Sequence, residues 1–245
     1  MDKPRFFANV SDKNGNTITL SGDENIHLRS SLRLKEGDRV EVFFGNGEIC
    51  ECMLTKVDKK ASILKIVNLR LEPKPKNKVS LCMAVTKSER MDWAVQKCTE
   101  LGVTDIIPFE SKFCTAKDRG NKTDRLVRIA ISACKQSGRA FLPNIASTKS
   151  FDELVEFVKK NKNVVLAYEL DKTSAKDVIS KLSGDVVLIV GSEGGFDGTE
   201  VEKIVKSGAN CVSLGKNILR AETAAVALCS VVMYQLDFWN REKNE

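Results

Sequence analysis

The most restrictive feature of this 245-residue chain is a run of five apolar residues that ends in a glycine-rich loop. The run is Val186-Val187-Leu188-Ile189-Val190, and Gly191-Ser192-Glu193-Gly194-Gly195 follows it without a spacer. A continuous aliphatic run indicates a strand buried on both faces, as in parallel sheets that helices cover. Helical and extended segments alternate from Val79 onwards, so this part of the chain is predicted to be an α/β domain.

Residues 1–72 have a different pattern, which predicts a small β-barrel. The alternating segment Val40-Glu41-Val42-Phe43-Phe44 runs into Gly45-Asn46-Gly47, a strong hairpin signal. A segment rich in proline and lysine then separates this region from the α/β pattern and predicts a linker at 72–78. We therefore expect two domains, at residues 1–72 and 73–245.

Composition narrows the possible classes of site. The single histidine, His27, excludes sites that need two or more imidazoles, so no metal is expected. The eight cysteines form no C-x-x-C pair, which favours free thiols in a reducing compartment. No apolar run is long enough to span a bilayer, and Met1–Arg5 does not resemble a signal peptide. We expect a cytoplasmic protein without membrane contacts.

The basic charge is concentrated in one part of the chain. The formal net charge is +6, and residues 73–150 alone carry 15 basic and 7 acidic side chains. The surplus is either an ordinary solvated face or a phosphate-binding surface. The residues of such a surface would be Lys74, Lys76, Lys78, Lys87, Arg128, Lys135 and Arg139.

The glycine-rich loop lies where parallel sheets bind ligands, beyond the carboxyl end of a strand. It is neither a P-loop nor a dinucleotide fingerprint, because G-x-x-x-x-G-K-[ST] and G-x-G-x-x-G are both absent. Glu193 would repel phosphates, so the loop suits a neutral or cationic ligand. The alternative is an ordinary strand-to-helix turn.

A second segment, from Leu214 to Ala224, also connects a short strand to a helix. Ile218 and Leu219 lie inside this connection, where they either join the core or form an apolar wall suited to a purine. Arg220 and Glu222 stand at the helix entrance. Glu222 is a candidate catalytic carboxylate, and the alternative is that it only stabilises the helix N-terminus.

These two segments resemble the signature of the SPOUT (α/β-knot) methyltransferases, and more narrowly of the RsmE family, which methylates N3 of a uridine in 16S (small-subunit) ribosomal RNA. The resemblance covers nearly the whole chain. It also includes Pro4-Arg5-Phe6-Phe7, His27-Leu28, Leu32-Arg33, Gly37-Asp38, Gln96–Gly102 and Gln136-Ser137-Gly138-Arg139. Ser192 and Asn217 depart from the proline and arginine that the family commonly has at these positions.

The resemblance implies a PUA-like N-terminal barrel and a knotted, dimeric methyltransferase domain that binds S-adenosyl-L-methionine. The implied cofactor residues are Leu166, Ala167, Tyr168, Glu169, Gly191, Ser192, Glu193, Gly194, Gly195, Leu214, Gly215, Ile218, Leu219, Ala221, Thr223 and Ala224. The implied contacts to ribosomal RNA are Arg5, Phe6, Arg29, Arg33, Lys87, Lys135 and Arg139. The apolar surface of the segment Ala221–Leu236 extends nearly all round a helix, which also favours a homodimer.

The expected catalytic residues are Arg220 and Glu222. Methylation of uridine N3 needs a proton acceptor and a partner for the charge that spreads onto the uracil oxygens. Arg220 suits the second task, and Glu222, Glu193 or a water suits the first. Two alternative functions stay open: an RNA-binding ribosome assembly factor without activity, and a knotted ribose 2′-O-methyltransferase.

Overall fold

The computed structural model describes residues 3–114 and 122–239. The chain folds into two compact units. The first comprises Met1–Lys74 and Cys134–Leu142, and the second comprises Pro75–Ala133 and Pro143–Glu245.

The first unit is built on one six-stranded sheet with the order β1-β4-β5-β6-β3-β2. The strands are β1 (Arg5–Phe7), β2 (Lys13–Asn14), β3 (Thr17–Ser21), β4 (Arg39–Phe43), β5 (Glu48–Lys56) and β6 (Ala61–Leu71). The β1–β4 pair is parallel and the other pairs of this sheet are antiparallel. Helix α1 (Gly22–Ile26) continues into a π-helical turn, His27–Ser31. The predicted β-rich region is therefore present as a mixed sheet with β1 and β2 at its edges.

The hairpin between β4 and β5 forms where the sequence predicts it. Gly45 and Gly47 have φ values of 75° and 98°, which only glycine adopts without strain. The register pairs Val42 with Cys50 and Phe43 with Ile49, and all four side chains are buried.

The segment Cys134–Leu142 belongs to this unit although it lies far along the chain. Cys134 and Ala140 pack against Phe43 and Ile49, and the backbone N–H of Leu142 donates to the Gly45 carbonyl at 3.0 Å. The compact units differ from the expected domains in the placement of this segment. The contacts that place this segment in the first unit join residues that are far apart in the sequence. No local sequence pattern therefore predicts them.

The second unit is an α/β layer structure around a six-stranded parallel sheet with the order β12-β10-β11-β7-β8-β9. Its strands are β7 (Val79–Ala84), β8 (Asp105–Phe109), β9 (Asn144–Ile145), β10 (Val164–Ala167), β11 (Val186–Val190) and β12 (Asn210–Val212). The helices are α2 (Ser88–Leu101), α3 (Lys122–Ser137), α4 (Phe151–Lys159), α5 (Ala175–Ile179), α6 (Gly198–Lys206) and α7 (Ala221–Gln235). The last residues of α3 belong to the first unit. The predicted parallel α/β sheet is confirmed.

The strand order places the loops that follow β10, β11 and β12 next to one another. Strand β10 lies between β11 and β12, so the chain leaves β11 on one side of β10 and returns as β12 on the other. Ala167 pairs in register with Val190 and with Val212, the last residues of their strands. Such a change of direction creates a crevice beyond the carboxyl ends of the strands.

The core fits the apolar pattern of the sequence. All five residues of β11 are at most 2% exposed.

Each of the eight cysteines is a free thiol. In the described ranges, no helix is long and apolar enough to cross a membrane. The same ranges hold no cluster of three or more His, Cys, Asp or Glu side chains suited to a metal ion.

Candidate active site

A cleft of about 260 Å³ lies at the carboxyl ends of β10, β11 and β12. The residues that line it come from the loops after these three strands and from the starts of α2 and α7. Of the predicted cofactor residues, the cleft brings together Ala167, Tyr168, Glu169, Gly191, Ser192, Glu193, Gly195, Leu214, Gly215, Ile218, Leu219, Ala221 and Ala224. Of the two expected catalytic residues, Arg220 also lines the cleft and Glu222 does not.

Three predicted cofactor residues do not line the cleft. Leu166 is fully buried within β10, where its side chain joins the core of the second unit. Thr223 is exposed on the first turn of α7. Gly194 approaches Phe113 instead, since a Cβ at Gly194 would come 2.7 Å from the Phe113 Cβ.

The other glycines of the loop after β11 also serve contacts within the protein. A Cβ on Gly191 would come 2.9 Å from the Phe196 ring. Gly195 has a φ of +69°, and a Cβ there would come 2.9 Å from Glu169 Oε1. Close packing inside the second unit therefore also favours glycine at these positions.

Ser192 stands where the resembled family usually has proline. Its hydroxyl donates to the Phe113 carbonyl at 3.1 Å, and its own carbonyl accepts from the Gly195 N–H at 3.0 Å. The side chain thus ties the loop to the segment after β8. This departure replaces the stiffness of a proline ring by a hydrogen bond.

Glu193 connects the loop to the start of α2. Its Oε1 accepts a hydrogen bond from the Lys87 backbone N–H at 3.2 Å and lies 3.4 Å from Arg90 Nη1. The other oxygen, Oε2, is buried and has no hydrogen-bond partner among the described residues. The carboxylate therefore binds the first turn of α2 and still holds free acceptor capacity.

Arg90 is a cleft residue that sequence reasoning missed. Its guanidinium lies between two carboxylates, with Nη1 3.4 Å from Glu193 Oε1 and Nε 4.0 Å from Glu222 Oε1. Glu222 Oε2 is likewise buried, and it too lacks a hydrogen-bond partner within residues 3–114 and 122–239. No signal in the sequence around Arg90 points to this role, because both partners lie far along the chain.

The segment from Leu214 to Arg220 forms the opposite wall. Ile218 is 83% exposed and Leu219 is half-buried, so the alternative that both residues join the core does not hold for Ile218. Arg220 is exposed and precedes the first helical residue of α7. Gly215 has a φ of +119°, which lets the chain turn away from β12.

Helix α6 fixes the far end of the loop after β11. Asp197 caps this helix by accepting from the Thr199 N–H at 3.0 Å, and Glu200 completes a capping box. The Lys112 ammonium, 2.7 Å away, and the Thr199 hydrogen bonds hold the pKa of Asp197 well below its usual range. Asp197 follows Phe196, the residue against which Gly191 packs.

Several predicted RNA contacts in the first unit are already engaged. Phe6 is fully buried in the core, which does not agree with its predicted contact to RNA. Arg5 Nε lies 2.9 Å from Glu41 Oε1, and burial lowers the pKa of its guanidinium. Lys135 pairs with Glu24 at 2.6 Å.

The remaining predicted RNA contacts differ in exposure. Arg33 is exposed and has a φ of 55°, and Lys87 is exposed just before α2. Arg29 and Arg139 are half-buried, and burial lowers the pKa of Arg139. Arg33 and Lys87 are therefore the predicted residues most accessible to an RNA phosphate.

Comparisons with known proteins agree with this architecture. A family model described as RNA methyltransferase domain matches residues 72–233, and a model described as RNA methyltransferase PUA domain matches residues 20–67. The ribosomal RNA small subunit methyltransferase E of Mesomycoplasma hyopneumoniae is 32% identical, over 91% of this chain and 96% of that protein. Its counterpart from Rickettsia conorii is 30% identical, over 93% of this chain and 94% of its own length.

A solved structure shows the same fold. Ribosomal RNA small subunit methyltransferase E from Neisseria gonorrhoeae, bound to S-adenosyl methionine, superposes with a TM-score of 0.85 at 28% identity. The match covers 96% of this chain and 99% of that one. Because the RNA methyltransferase model spans more than half of the chain and the curated relatives match along nearly their whole length, the chain belongs to the ribosomal RNA small subunit methyltransferase E family.

Proposed function

We propose that the protein methylates N3 of a uridine in 16S ribosomal RNA with S-adenosyl-L-methionine as the methyl donor. The observation that carries this proposal is the cleft at the ends of β10, β11 and β12, which gathers thirteen of the sixteen predicted cofactor residues. Family membership and the S-adenosyl methionine-bound relative support it.

The chemistry of the cleft fits the cofactor. Leu214, Ile218 and Leu219 offer apolar surface for an adenine ring. On the other side, Glu193 lines the cleft, with its side chain 17% exposed. A carboxylate at this position would disfavour a phosphate and is compatible with a cationic ligand.

The residues of this chain have two tasks in the reaction. When bound, S-adenosylmethionine supplies an electrophilic methyl group, whose bond to sulfur breaks as a bond to uridine N3 forms. The N3 proton must leave first, and we assign its acceptance to Glu222, which lies on the first turn of α7 next to the cleft residue Ala221. Glu193 suits this task less well, since its carboxylate already binds the start of α2.

Arg220 stabilises the negative charge that develops on the base. Its planar guanidinium is a cation and is exposed at the cleft, next to Leu219. Paired N–H donors aimed at a uracil oxygen lower the energy of the uridinate, and they also orient the ring for in-line transfer.

RNA binding is assigned to both proposed domains, residues 1–72 and 73–245. The match of residues 20–67 to a PUA domain supports a role for the first in holding RNA. Arg33 there and Lys87 in the second are accessible cations. We propose that phosphate contacts come mainly from such exposed residues, with Arg29 and Arg139 as secondary contacts.

The protein is further proposed to be a cytoplasmic homodimer whose methyltransferase domain carries a trefoil knot. Helix α7 exposes Val231 and Tyr234, at 46% and 74%, on the side that also carries Ala227. An exposed apolar strip of this kind suits a symmetric contact between two copies. Light scattering at micromolar concentration tests the dimer, and a Val231→Asp variant should shift the mass toward that of a monomer.

A methylation assay with mass mapping of the product tests the function. Ribosomal RNA and small subunits from cells that lack the enzyme serve as alternative substrates, and the modified nucleoside is identified after digestion. Methyl groups on N3 of uridine support the proposal. Methyl groups on ribose 2′-oxygens would favour the related knotted enzymes, and RNA binding without a thermal shift by S-adenosylmethionine would favour an assembly factor.

A further inference from the structure

We propose that Arg90 is a positioning residue that holds the loop after β11 and the start of α7 together by pairing with Glu193 and Glu222 at once. The proposal rests on the proposed function, because it concerns how the same cleft keeps its shape. Glu193 lies on the loop after β11 and Glu222 on the first turn of α7. Arg90 lies on a third element, the first turn of α2.

The distances favour a shared cation. Nη1 of Arg90 lies 3.4 Å from Glu193 and Nε lies 4.0 Å from Glu222, so different nitrogens of one guanidinium face the two carboxylates. Only a planar, delocalised cation presents donors in two directions in this way. A lysine ammonium is a compact charge and would favour one carboxylate over the other.

Burial makes the shared cation necessary. Both carboxylates are more than four-fifths buried, and each has an oxygen that no described residue hydrogen-bonds. Two partly buried carboxylates that lose their common cation repel each other, since solvent screens them poorly. We expect them to turn outward, which would move the α7 entrance away from the loop after β11.

The start of α2, where Arg90 lies, is held in place by packing and by backbone hydrogen bonds. Helix α2 packs along α7, and its start is fixed by the Lys87 N–H bond to Glu193. The N–H groups of Arg90 and Met91 both donate to the Lys87 carbonyl at 3.1 Å. Arg90 therefore acts through the two glutamates, and it is not assigned a contact with the reacting atoms.

Two double-mutant cycles test the proposal. Arg90→Met removes the charge but keeps an apolar stem, and it is combined separately with Glu193→Gln and with Glu222→Gln. S-adenosylmethionine affinity is measured by calorimetry and the free energy of unfolding by urea titration without ligand. Arg125→Ala is the matched control, because it removes an exposed ion pair with Asp92 of helix α2.

We expect Arg90→Met to weaken cofactor affinity by about tenfold or more, and each glutamine substitution to restore part of that loss. Arg90→Lys should keep only part of the affinity. In the ligand-free cycle, both glutamates should show coupling to Arg90. Additive effects in both cycles, or coupling to only one glutamate, would overturn the bridging role.

The same measurements distinguish the bridging role from a direct contact between Arg90 and the cofactor and from failure of the proposed function. A direct contact between Arg90 and the cofactor predicts that neither glutamine substitution rescues affinity, which would also overturn the proposal. If the wild-type protein binds no S-adenosylmethionine, the proposed function fails, while the ligand-free cycles still decide the role of Arg90. Far-UV circular dichroism identifies any variant that does not fold, and Arg90→Gln then replaces Arg90→Met.

Discussion

Gly194 lies so close to Phe113 that a methyl group at its Cα would come within 2.7 Å of the Phe113 Cβ and 3.2 Å of the Phe113 carbonyl oxygen. The neighbouring Ser192 donates its hydroxyl to the same carbonyl at 3.1 Å. The loop after β11 therefore lies directly on the segment after β8, and the absence of a side chain at Gly194 is a packing requirement of the second unit.

Gly194→Ala is expected to destabilise the protein by about 1–3 kcal/mol, because backbone atoms at Phe113 must shift to admit the new methyl group. Gly198→Ala is the matched control, since a Cβ at Gly198 meets no described atom within 4 Å and Gly198 lies in helix α6. Urea unfolding of both variants measures the difference. Equal stability of the two variants would contradict the packing role of Gly194.

The sequence predicts those parts of the fold that local periodicity determines. The five apolar residues of β11 and the hairpin glycines Gly45 and Gly47 appear where their patterns place them, since neighbouring residues alone decide such elements. The convergence of the loops after β10, β11 and β12 follows from the general behaviour of parallel sheets.

The parts that escaped prediction depend on contacts between distant residues. Arg90 looks like any other exposed helical arginine until the fold brings Glu193 and Glu222 to it. Phe6 and Phe7 are adjacent aromatic residues in β1, and the sequence does not say which one points into the core. Cys134–Leu142 joins the first unit through Phe43 and Ile49, a contact that no linear pattern contains.

Ile218→Ala is expected to weaken S-adenosylmethionine binding without changing stability. The side chain is 83% exposed at the cleft, so its loss should alter the free energy of unfolding by less than about 0.5 kcal/mol. Removing apolar contact with a bound adenine should cost roughly 1 kcal/mol of affinity, or about fivefold. Leu170→Ala is the control, because Leu170 is 72% exposed and does not line the cleft. Unchanged calorimetric affinity for Ile218→Ala would place the adenine elsewhere.

Lys87→Ala is expected to reduce the salt dependence of RNA binding. An exposed lysine that contacts a phosphate contributes about one unit to the slope of log K against log salt. Lys135→Ala should change the slope less, since this lysine already pairs with Glu24 at 2.6 Å. Binding titrations at several salt concentrations measure both slopes. A larger change for Lys135→Ala than for Lys87→Ala would show that the ion pair opens on RNA binding.

Asp197 should make stability depend on pH in the acid range. Its pKa is lowered by the hydrogen bond from Lys112 and by those from Thr199, so ionised Asp197 stabilises the folded state. This contribution is fully present above the ordinary aspartate pKa of about 4 and is lost as the pH falls through the lower folded-state value. The difference in the free energy of unfolding between wild type and Asp197→Asn should therefore become smaller below about pH 4. Urea unfolding midpoints between pH 3 and 7 measure this difference. When Lys112→Met is added to both proteins, the stability difference between them should be smaller. Parallel curves for wild type and Asp197→Asn would contradict the assignment.

Arg220 is expected to matter for methyl transfer more than for cofactor binding. The residue follows the apolar pair Ile218 and Leu219 and is exposed at the cleft, so its guanidinium is free to meet the incoming base. Arg220→Ala should leave S-adenosylmethionine affinity within a few-fold and lower the single-turnover rate by about 100-fold or more, the scale of losing one charge-stabilising donor.

The conservative variant and a distant control make the role of Arg220 specific. Arg220→Lys should restore only part of the rate, because an ammonium lacks the paired donor geometry of a guanidinium. Lys206→Ala, which removes an exposed cation paired with Glu202 on α6, should leave the rate unchanged. Single-turnover kinetics with saturating RNA and cofactor separate chemistry from binding. A normal rate of methyl transfer with weakened cofactor affinity in Arg220→Ala would contradict the catalytic role and assign Arg220 to cofactor binding. Glu222 would then be the remaining catalytic candidate among the residues that we assign to the reaction.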